Sequence, residues 1–369
     1  MRPWIWIGGI ALLGGAALVY LLRPGGVVYV PPRPPSFDGP STQLRETVVV
    51  PTLDTPLPEG KSAVWCASSQ LGWNTLRRDV VGEPVRLSGA QEIADRLNRF
   101  EFPGDALSAE AYYAAAGLVR DGIAEKIRGD MAERFPDVPA PKFGEGNVAV
   151  AYAYLRASVR FRLPYYEDRL VFTDPGGRQT GVWAFGIREE DAYAAERLRE
   201  QVEVLFISEE FDHRDAPLEC ALDLCKDSSP YQVVVARVGK QETLAATVAA
   251  VQERARKRSD GEYLSRFRPA DELLVPVMVW KIEHHFEELE GKSFENESLK
   301  GLPLDTVLQV ISFRLDKSGG DLAAEWRSEV KAGPRRFHFD RPYLVYMKKR
   351  GAEQPFLAMW VENAELMTR

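Results

Sequence analysis

The chain has 369 residues, 45% of them apolar, with 47 Lys and Arg against 54 Asp and Glu and only three Cys. That many apolar side chains can fill a large core, which excludes a disordered, collagen-like or disulfide-dense chain. The net charge of −7 and the lack of any basic run argue against a nucleic-acid binder.

From Trp4 to Leu22 the sequence carries no charge. As a helix, residues 4–22 span about 28 Å at ~1.5 Å per residue, close to the hydrocarbon thickness of a bilayer. Arg2 and Arg23 bracket the run, and Trp4, Trp6 and Tyr20 lie near its ends, where amphipathic rings favour the headgroup region. The pattern predicts one uncleaved transmembrane anchor over residues 1–23, with the folded part outside the cytoplasm. A cleaved signal peptide and a secreted protein form the alternative, although such a segment ends in small residues, where this chain has Val-Tyr-Leu-Leu-Arg. Residues 24–60 are Pro-rich and read as a semi-rigid linker, within which Val48–Val50 can pack on the domain instead.

Residues 61–366 read as one α+β domain. Helical periodicity is clearest at 69–81, 90–100 and 108–135, with further helices at 191–203 and 242–258. Strands are expected at 148–161, 170–173, 182–185, 231–238, 272–283, 306–315, 336–339, 344–348 and 356–361. Helices come first and strands crowd the C-terminal third, which points to helices packed on antiparallel-rich sheets rather than to a doubly wound parallel sheet.

Catalytic patterns are missing. There is no Gly-x-Ser-x-Gly elbow, no His-Glu-x-x-His and no dinucleotide fingerprint. His284 and His285 sit beside Glu283, Glu287 and Glu288, but adjacent side chains on an extended segment point to opposite faces and rarely share one ion. No metal, no cofactor and no enzymatic activity are therefore expected. Cys220 and Cys225 are close enough in sequence to pair across a short loop in an oxidising compartment, and Cys66 lies in an apolar run that predicts a buried thiol.

Several segments, taken in order, resemble the serpins, a family of metastable protease inhibitors. Val279-Trp280-Lys281-Ile282-Glu283 is similar to that family's Lys-Phe-Lys-Ile-Glu strand, and Thr306–Asp316 to its long central strand. Phe337-His338-Phe339-Asp340-Arg341-Pro342-Tyr343-Leu344 resembles Phe-x-Ala-Asp-Arg-Pro-Phe-Leu, and Phe356–Asn363 the closing Leu-Phe-x-Gly-x-Val-x-Asn strand. Ala63–Leu76 and Tyr154–Tyr165 resemble a buried strand with its helix and a segment ending Trp-x-x-Pro-Phe. The resemblance covers roughly residues 62–366. Against it, 47–58 is too rich in Pro to supply the family's opening helix, and 100–148 is too short for all its usual helices and strands, so a trimmed main sheet is expected. The resemblance also implies an altered polar cluster, in which Ala153, Gln309, Ala67 and Gln70 replace the family's Asn, His and two Ser, and Phe161 replaces a Trp.

The resemblance implies a mechanism without catalytic residues. An exposed loop is bait for a serine protease; once cut, it inserts into the main sheet as a new strand. The matching hinge is Lys317, Ser318, Gly319, Gly320, Asp321, Leu322, Ala323 and Ala324, and the two glycines supply a permissive backbone. Beyond it, Leu322, Ala324, Trp326, Ser328 and Val330 alternate with Asp321, Ala323, Glu325, Arg327, Glu329 and Lys331, the period of a strand with one buried face. Eleven inserted residues would run about 36 Å at ~3.3 Å each. The four that remain before Arg336 reach at most ~14 Å, so full insertion requires a cut. The candidate scissile region contains Arg327, Lys331, Ala332 and Gly333, with basic side chains that suit a protease having an acidic primary pocket. The alternatives are an exposed, inhibitory loop on a membrane-tethered protein and a fixed connector in a non-inhibitory binding or structural module.

Overall fold

The computed structural model describes residues 34–103, 106–158, 160–188, 194–212, 216–228, 230–257, 266–318 and 335–369. The predicted anchor at 4–22 lies outside them, and among the described residues no helix is long and apolar enough to cross a membrane.

In chain order the strands begin with β1 (Phe37–Pro40), β2 (Thr47–Val49), β3 (Ser62–Cys66), β4 (Tyr112–Leu118), β5 (Ala149–Ser158) and β6 (Tyr166–Thr173). They continue with β7 (Gln179–Ile187), β8 (Glu203–Ile207), β9 (Cys220–Asp223), β10 (Tyr231–Arg237), β11 (Glu272–Pro276) and β12 (Met278–His285). The last are β13 (Lys292–Ser293), β14 (Pro303–Leu315), β15 (Arg336–His338), β16 (Tyr343–Lys349) and β17 (Pro355–Val361). The α-helices are α1 (Ala67–Thr75), α2 (Gln91–Arg99), α3 (Ile123–Arg134), α4 (Ala194–Glu200) and α5 (Leu244–Arg256).

Three sheets result. The main sheet has the order β1-β12-β14-β5-β4, with β13 on the start of β14. The second runs β2-β3-β17-β16-β10-β9-β8 and the third β15-β11-β7-β6. Most pairs are antiparallel; β5 with β14, β1 with β12, β2 with β3 and β11 with β15 are parallel. This is the expected α+β class. β17 is buried along its whole length, an apolar run without alternation because both of its faces meet the core. Each such Leu, Phe or Val contributes about 1.5–3 kcal/mol by leaving water. α5 is started by Thr243, whose hydroxyl accepts from the amide of Ala246 at 3.0 Å.

The alternation in β5 sets the main sheet's two faces. Ala149, Ala151, Ala153, Leu155 and Ala157 point inward to the α1 side, while Val150, Tyr152 and Tyr154 point outward into a cluster with Ile127, Met131 and Phe135 around α3. β14 alternates in the same way, Val307, Ile311, Phe313 and Leu315 inward and Leu308 and Val310 outward.

Four expectations need correction. The helix predicted over 108–135 is β4 followed by α3. Ala and Leu at helical spacing mimic periodicity there, but Tyr113 and Ala115 share one face of a strand, and Gly122, at φ 85°, breaks the chain before α3. Gly117 is required as well, because a Cβ there would lie 2.9 Å from Ile123. The strand predicted over 272–283 is two: Pro276 ends β11 in the third sheet, and β12 starts at Met278 in the main sheet.

The segment 24–60 is not free chain throughout. Residues Pro35–Arg369 form one compact unit. β1 pairs with β12, Ser36 Oγ donates to the carbonyls of Val279 (2.9 Å) and Leu366 (2.8 Å), and the Glu365 carboxylate accepts from the amides of Arg45 and Glu46. Of its described prolines, Pro40 ends β1 and Pro51 lies in a bend, where a missing N–H costs nothing. Finally, Cys66, Cys220 and Cys225 are all free and buried; Cys220 opens β9 rather than a short loop. Between residues 100 and 148 the described chain supplies one strand and one α-helix, and among the described residues no strand pairs beyond β4.

Candidate functional site

β5 and β14 lie side by side with nothing between them. Their parallel register runs from Leu304 with Ala149 to Arg314 with Ser158. Gln309 stands opposite Ala153 on the inner face and is 1% exposed. Its Nε2 donates to Ser68 Oγ (2.8 Å) and to the carbonyl of Cys66 (3.1 Å), where β3 turns into α1. Gly72 of α1 approaches so closely that a Cβ there would touch Ala153 at 3.4 Å.

The sequence grouped Gln70 with Gln309 and Ala153, and the structure separates it. Gln70 Nε2 donates to Asn74 Oδ1 and to the carbonyls of Leu97 and Phe100, tying α1 to the end of α2. The partner that sequence reasoning missed is Ser68, one residue from the Ala67 that the resemblance had singled out.

At its far end β14 continues into the predicted hinge, and the first two hinge residues are held. The amide of Phe161 donates to the carbonyl of Ser318 (3.1 Å), and the amide of Tyr165 to that of Lys317 (3.1 Å). Asp316 Oδ1 accepts from the Ser318 amide at 2.9 Å, and Lys317 pairs with Glu167 at 3.4 Å. Phe161 packs edge-on against Tyr165, ring centroids 4.8 Å apart. The rest of the hinge, Gly319, Gly320, Asp321, Leu322, Ala323 and Ala324, and the candidate scissile residues Arg327, Lys331, Ala332 and Gly333 lie outside the described residues.

The chain returns at Arg335 in a different sheet. The Arg335 guanidinium forks the Asp271 carboxylate, with Nε 2.9 Å from Oδ1, and their side chains are 6% and 1% exposed. Asp271 also accepts from the backbone amide of Arg268 (2.7 Å), and Arg335 Nη2 donates to the carbonyl of Arg266 (2.8 Å). β15 then pairs with β11. The two ends of residues 319–334 are therefore fixed in separate sheets.

Other chemistry is sparse. His284 Nδ1 lies 2.8 Å from Ser41 Oγ, but the imidazole packs edge-on against Phe286, burial pushes its pKa down to about 4, and among the described residues no carboxylate bonds its other nitrogen. A catalytic base needs that third partner. His285 turns to the opposite side and meets Glu290 at 2.7 Å, which raises its pKa. No group of side chains able to hold a metal ion occurs among the described residues.

A cleft of about 560 Å³ opens between Leu53, Trp65, Phe100, Val248 and Pro355, with Arg96 and Arg99 among its lining residues. Trp65 is 1% exposed and, among the described residues, its indole N–H has no hydrogen-bond partner.

No protein-family model and no curated protein matches this sequence. Solved structures do match the fold. The native thermophilic serpin tengpin aligns with TM-score 0.51 at 10% identity, over 83% of this chain and 90% of that one. Thyroxine-binding globulin in complex with thyroxine gives 0.51 at 11% identity, over 82% and 93%. Native protease nexin-1 with heparin gives 0.50 at 9%, over 82% and 92%. The chain has the serpin fold.

Within the serpin fold the motif series falls in order, in β3 and α1, then β5, β12, β14, the β15–β16 junction and β17. The long strand Thr306–Asp316 lies in the main sheet beside β5, and the hinge follows it directly.

Proposed function

We propose that this chain is a membrane-tethered serpin-fold protein, with no catalytic residues of its own, whose residues 319–334 are bait for a serine protease with an acidic primary pocket, outside the cytoplasm. One relationship carries the reading. β5 and β14 are paired directly, while the chain between them and β15 is anchored at Ser318 and at Arg335 in different sheets. An uncut segment held at both ends cannot become a full strand of the main sheet; a cut near Lys331 releases one end. The tether rests on the uncharged run at 4–22.

Incubation with trypsin followed by denaturing electrophoresis tests this. A covalent complex that survives denaturation, with cleavage mapped between Arg327 and Gly333, is the expected result. Clean cleavage without a complex overturns inhibition.

A second reading, a non-inhibitory binding module, is favoured by the cleft beside Trp65. Apolar walls, an unpartnered indole N–H and two nearby arginines suit a small apolar molecule bearing an anionic group. One solved structure of the same fold is a complex with thyroxine. Loss of indole fluorescence on titration with an aromatic carboxylate, absent in Trp65→Phe, separates this reading from the first.

A further inference from the structure

Past α1 the chain does not unwind into a loop. Leu76–Val81 continues it as a π-helical turn, closed where the amide of Gly82, at φ 77°, donates to the carbonyl of Arg77 (2.8 Å). Such wide turns are rare and occur mostly at functional sites. This one sets Asn74, Arg77 and Arg78, spaced by three and four, along one side of the helix. Two clefts meet there, of about 360 and 620 Å³, and Asn74, Arg78 and Glu101 line both. Arg77 lines the smaller one, and Leu71, Phe102 and Pro103 give the larger an apolar wall.

Asn74 is only 8% exposed. Its Oδ1 accepts from Gln70 Nε2 at 2.9 Å, so Nδ2 is the polar atom it presents to the clefts, and among the described residues that nitrogen has no hydrogen-bond partner. Burying a polar side chain costs free energy unless its donors are used. Arg77 is held beside it. Its Nη1 donates to the carbonyl of Asn98 (3.0 Å), which fixes the guanidinium, and its Nη2 lies 3.4 Å from Glu101. The Glu101 side chain is 76% exposed, so this contact is weak and easily exchanged. Arg78, by contrast, is already forked by Asp79 at 2.6 and 2.8 Å.

We propose that these clefts bind a small carboxylic acid with an apolar tail. One carboxylate oxygen accepts from Asn74 Nδ2 and the other from Arg77 Nη2, where Glu101 now stands, while the tail lies against Leu71, Phe102 and Pro103. A carboxylate fits because it offers two acceptors in one plane to one amide and one guanidinium edge. The site is separate from the cleft beside Trp65, whose arginines are Arg96 and Arg99.

Isothermal titration of the full-length chain in detergent micelles with sodium hexanoate tests this. Saturable binding at a single site is expected. Acetate, which lacks the tail, and hexanol, which lacks the charge, should each bind roughly tenfold more weakly. Asn74→Asp keeps the acceptor for Gln70 but replaces the open donor with a second acceptor, and it weakens hexanoate by about tenfold or more. Glu101→Gln removes the competing carboxylate and tightens binding by about threefold. Because Glu101 is exposed, this second variant decides the matter even if Asn74→Asp misfolds. Trp65→Phe leaves the affinity unchanged. Absence of saturable binding overturns the inference, and so does an affinity indifferent to Glu101→Gln. Binding lost in Trp65→Phe also overturns it, by placing the acid in the other cleft. Inorganic phosphate binding as tightly as hexanoate does the same, since any anion would then serve.

Discussion

Gln309, in the middle of β14, donates its side-chain amide to Ser68 Oγ at 2.8 Å and so ties the main sheet to the first turn of α1. The same nitrogen reaches the carbonyl of Cys66. Replacing Gln309 with Ala leaves two buried acceptors without their donor. We expect a loss of about 1–3 kcal/mol, read as a lower urea midpoint at an unchanged slope. The unmatched Oε1 of Gln309 tempers this loss, since the variant no longer buries that atom.

The Asp271–Arg335 fork fixes the far end of the loop region, where both side chains are nearly inaccessible to water. Asp271→Asn keeps the shape and removes the charge, so that a buried guanidinium loses its counterion. Breaking a buried pair in this way costs about 3–5 kcal/mol. Chemical denaturation should show that cost, and limited proteolysis should show faster cutting within 319–334. Unchanged stability would mean that the guanidinium finds another acceptor.

Two neighbouring histidines respond to acid in opposite directions. His284 is buried against Phe286 with its pKa lowered to about 4, so the unfolded chain binds the extra proton first. Its contribution is intact above pH 6.5 and lost as pH falls toward 4, by up to about 3 kcal/mol. His285 has its pKa raised by Glu290, so its contribution is full below pH 6.5 and fades as pH rises through the raised value. His284→Asn should therefore reduce the loss of stability between pH 6.5 and 4 in thermal melts, and His285→Gln should leave that loss unchanged while removing the stability gained as pH falls through the raised value toward 6.5. Parallel curves for wild type and H284N would contradict the burial argument.

All three thiols should be silent in the native state. Burial pushes the pKa of Cys66 and Cys220 up to about 11 and raises that of Cys225 as well. The thiolate is the reacting species, so a maleimide at pH 7.5 should label none of them until the chain unfolds, and then three. Two missing equivalents after unfolding would reveal a Cys220–Cys225 disulfide.

Much of the fold was legible because its signals are local or ordered. The buried run of β17, the alternation of β14 and the periodicity of α5 each specify an element by themselves, and the motif series from Leu274 to Glu365 specifies their order. What was hidden depends on contacts between distant residues. Tyr112–Leu118 is rich in alanine, which helices also favour, and only pairing with β5 makes it a strand. β1 is four residues ending in Pro, too short to read without β12 beside it. Of the polar cluster read from the sequence, Gln309 and Ala153 lie opposite each other, Gln70 bonds elsewhere, and Ser68, which the sequence did not single out, holds Gln309. A hydrogen bond across 241 residues leaves no periodic trace.

Trp326 is the residue on which insertion turns. If a cut loop reverses at Gly319-Gly320 and pairs antiparallel with β14, its apolar face points inward only when Ala324 meets Leu315 and Trp326 meets Phe313. Phe313 is already 1% exposed and stacked on Trp280, ring centroids 5.0 Å apart. The alanines of β5 leave space lower in the sheet, level with Val307 and Gln309, where the smaller Val330 would fall opposite Gln309 instead. Forcing an indole into the filled layer costs about 1–3 kcal/mol. Trp326→Ala should therefore enlarge the rise in melting temperature that follows cleavage near Lys331. If neither wild type nor W326A gains stability on cleavage, the loop does not insert, and the binding-module reading stands in its place.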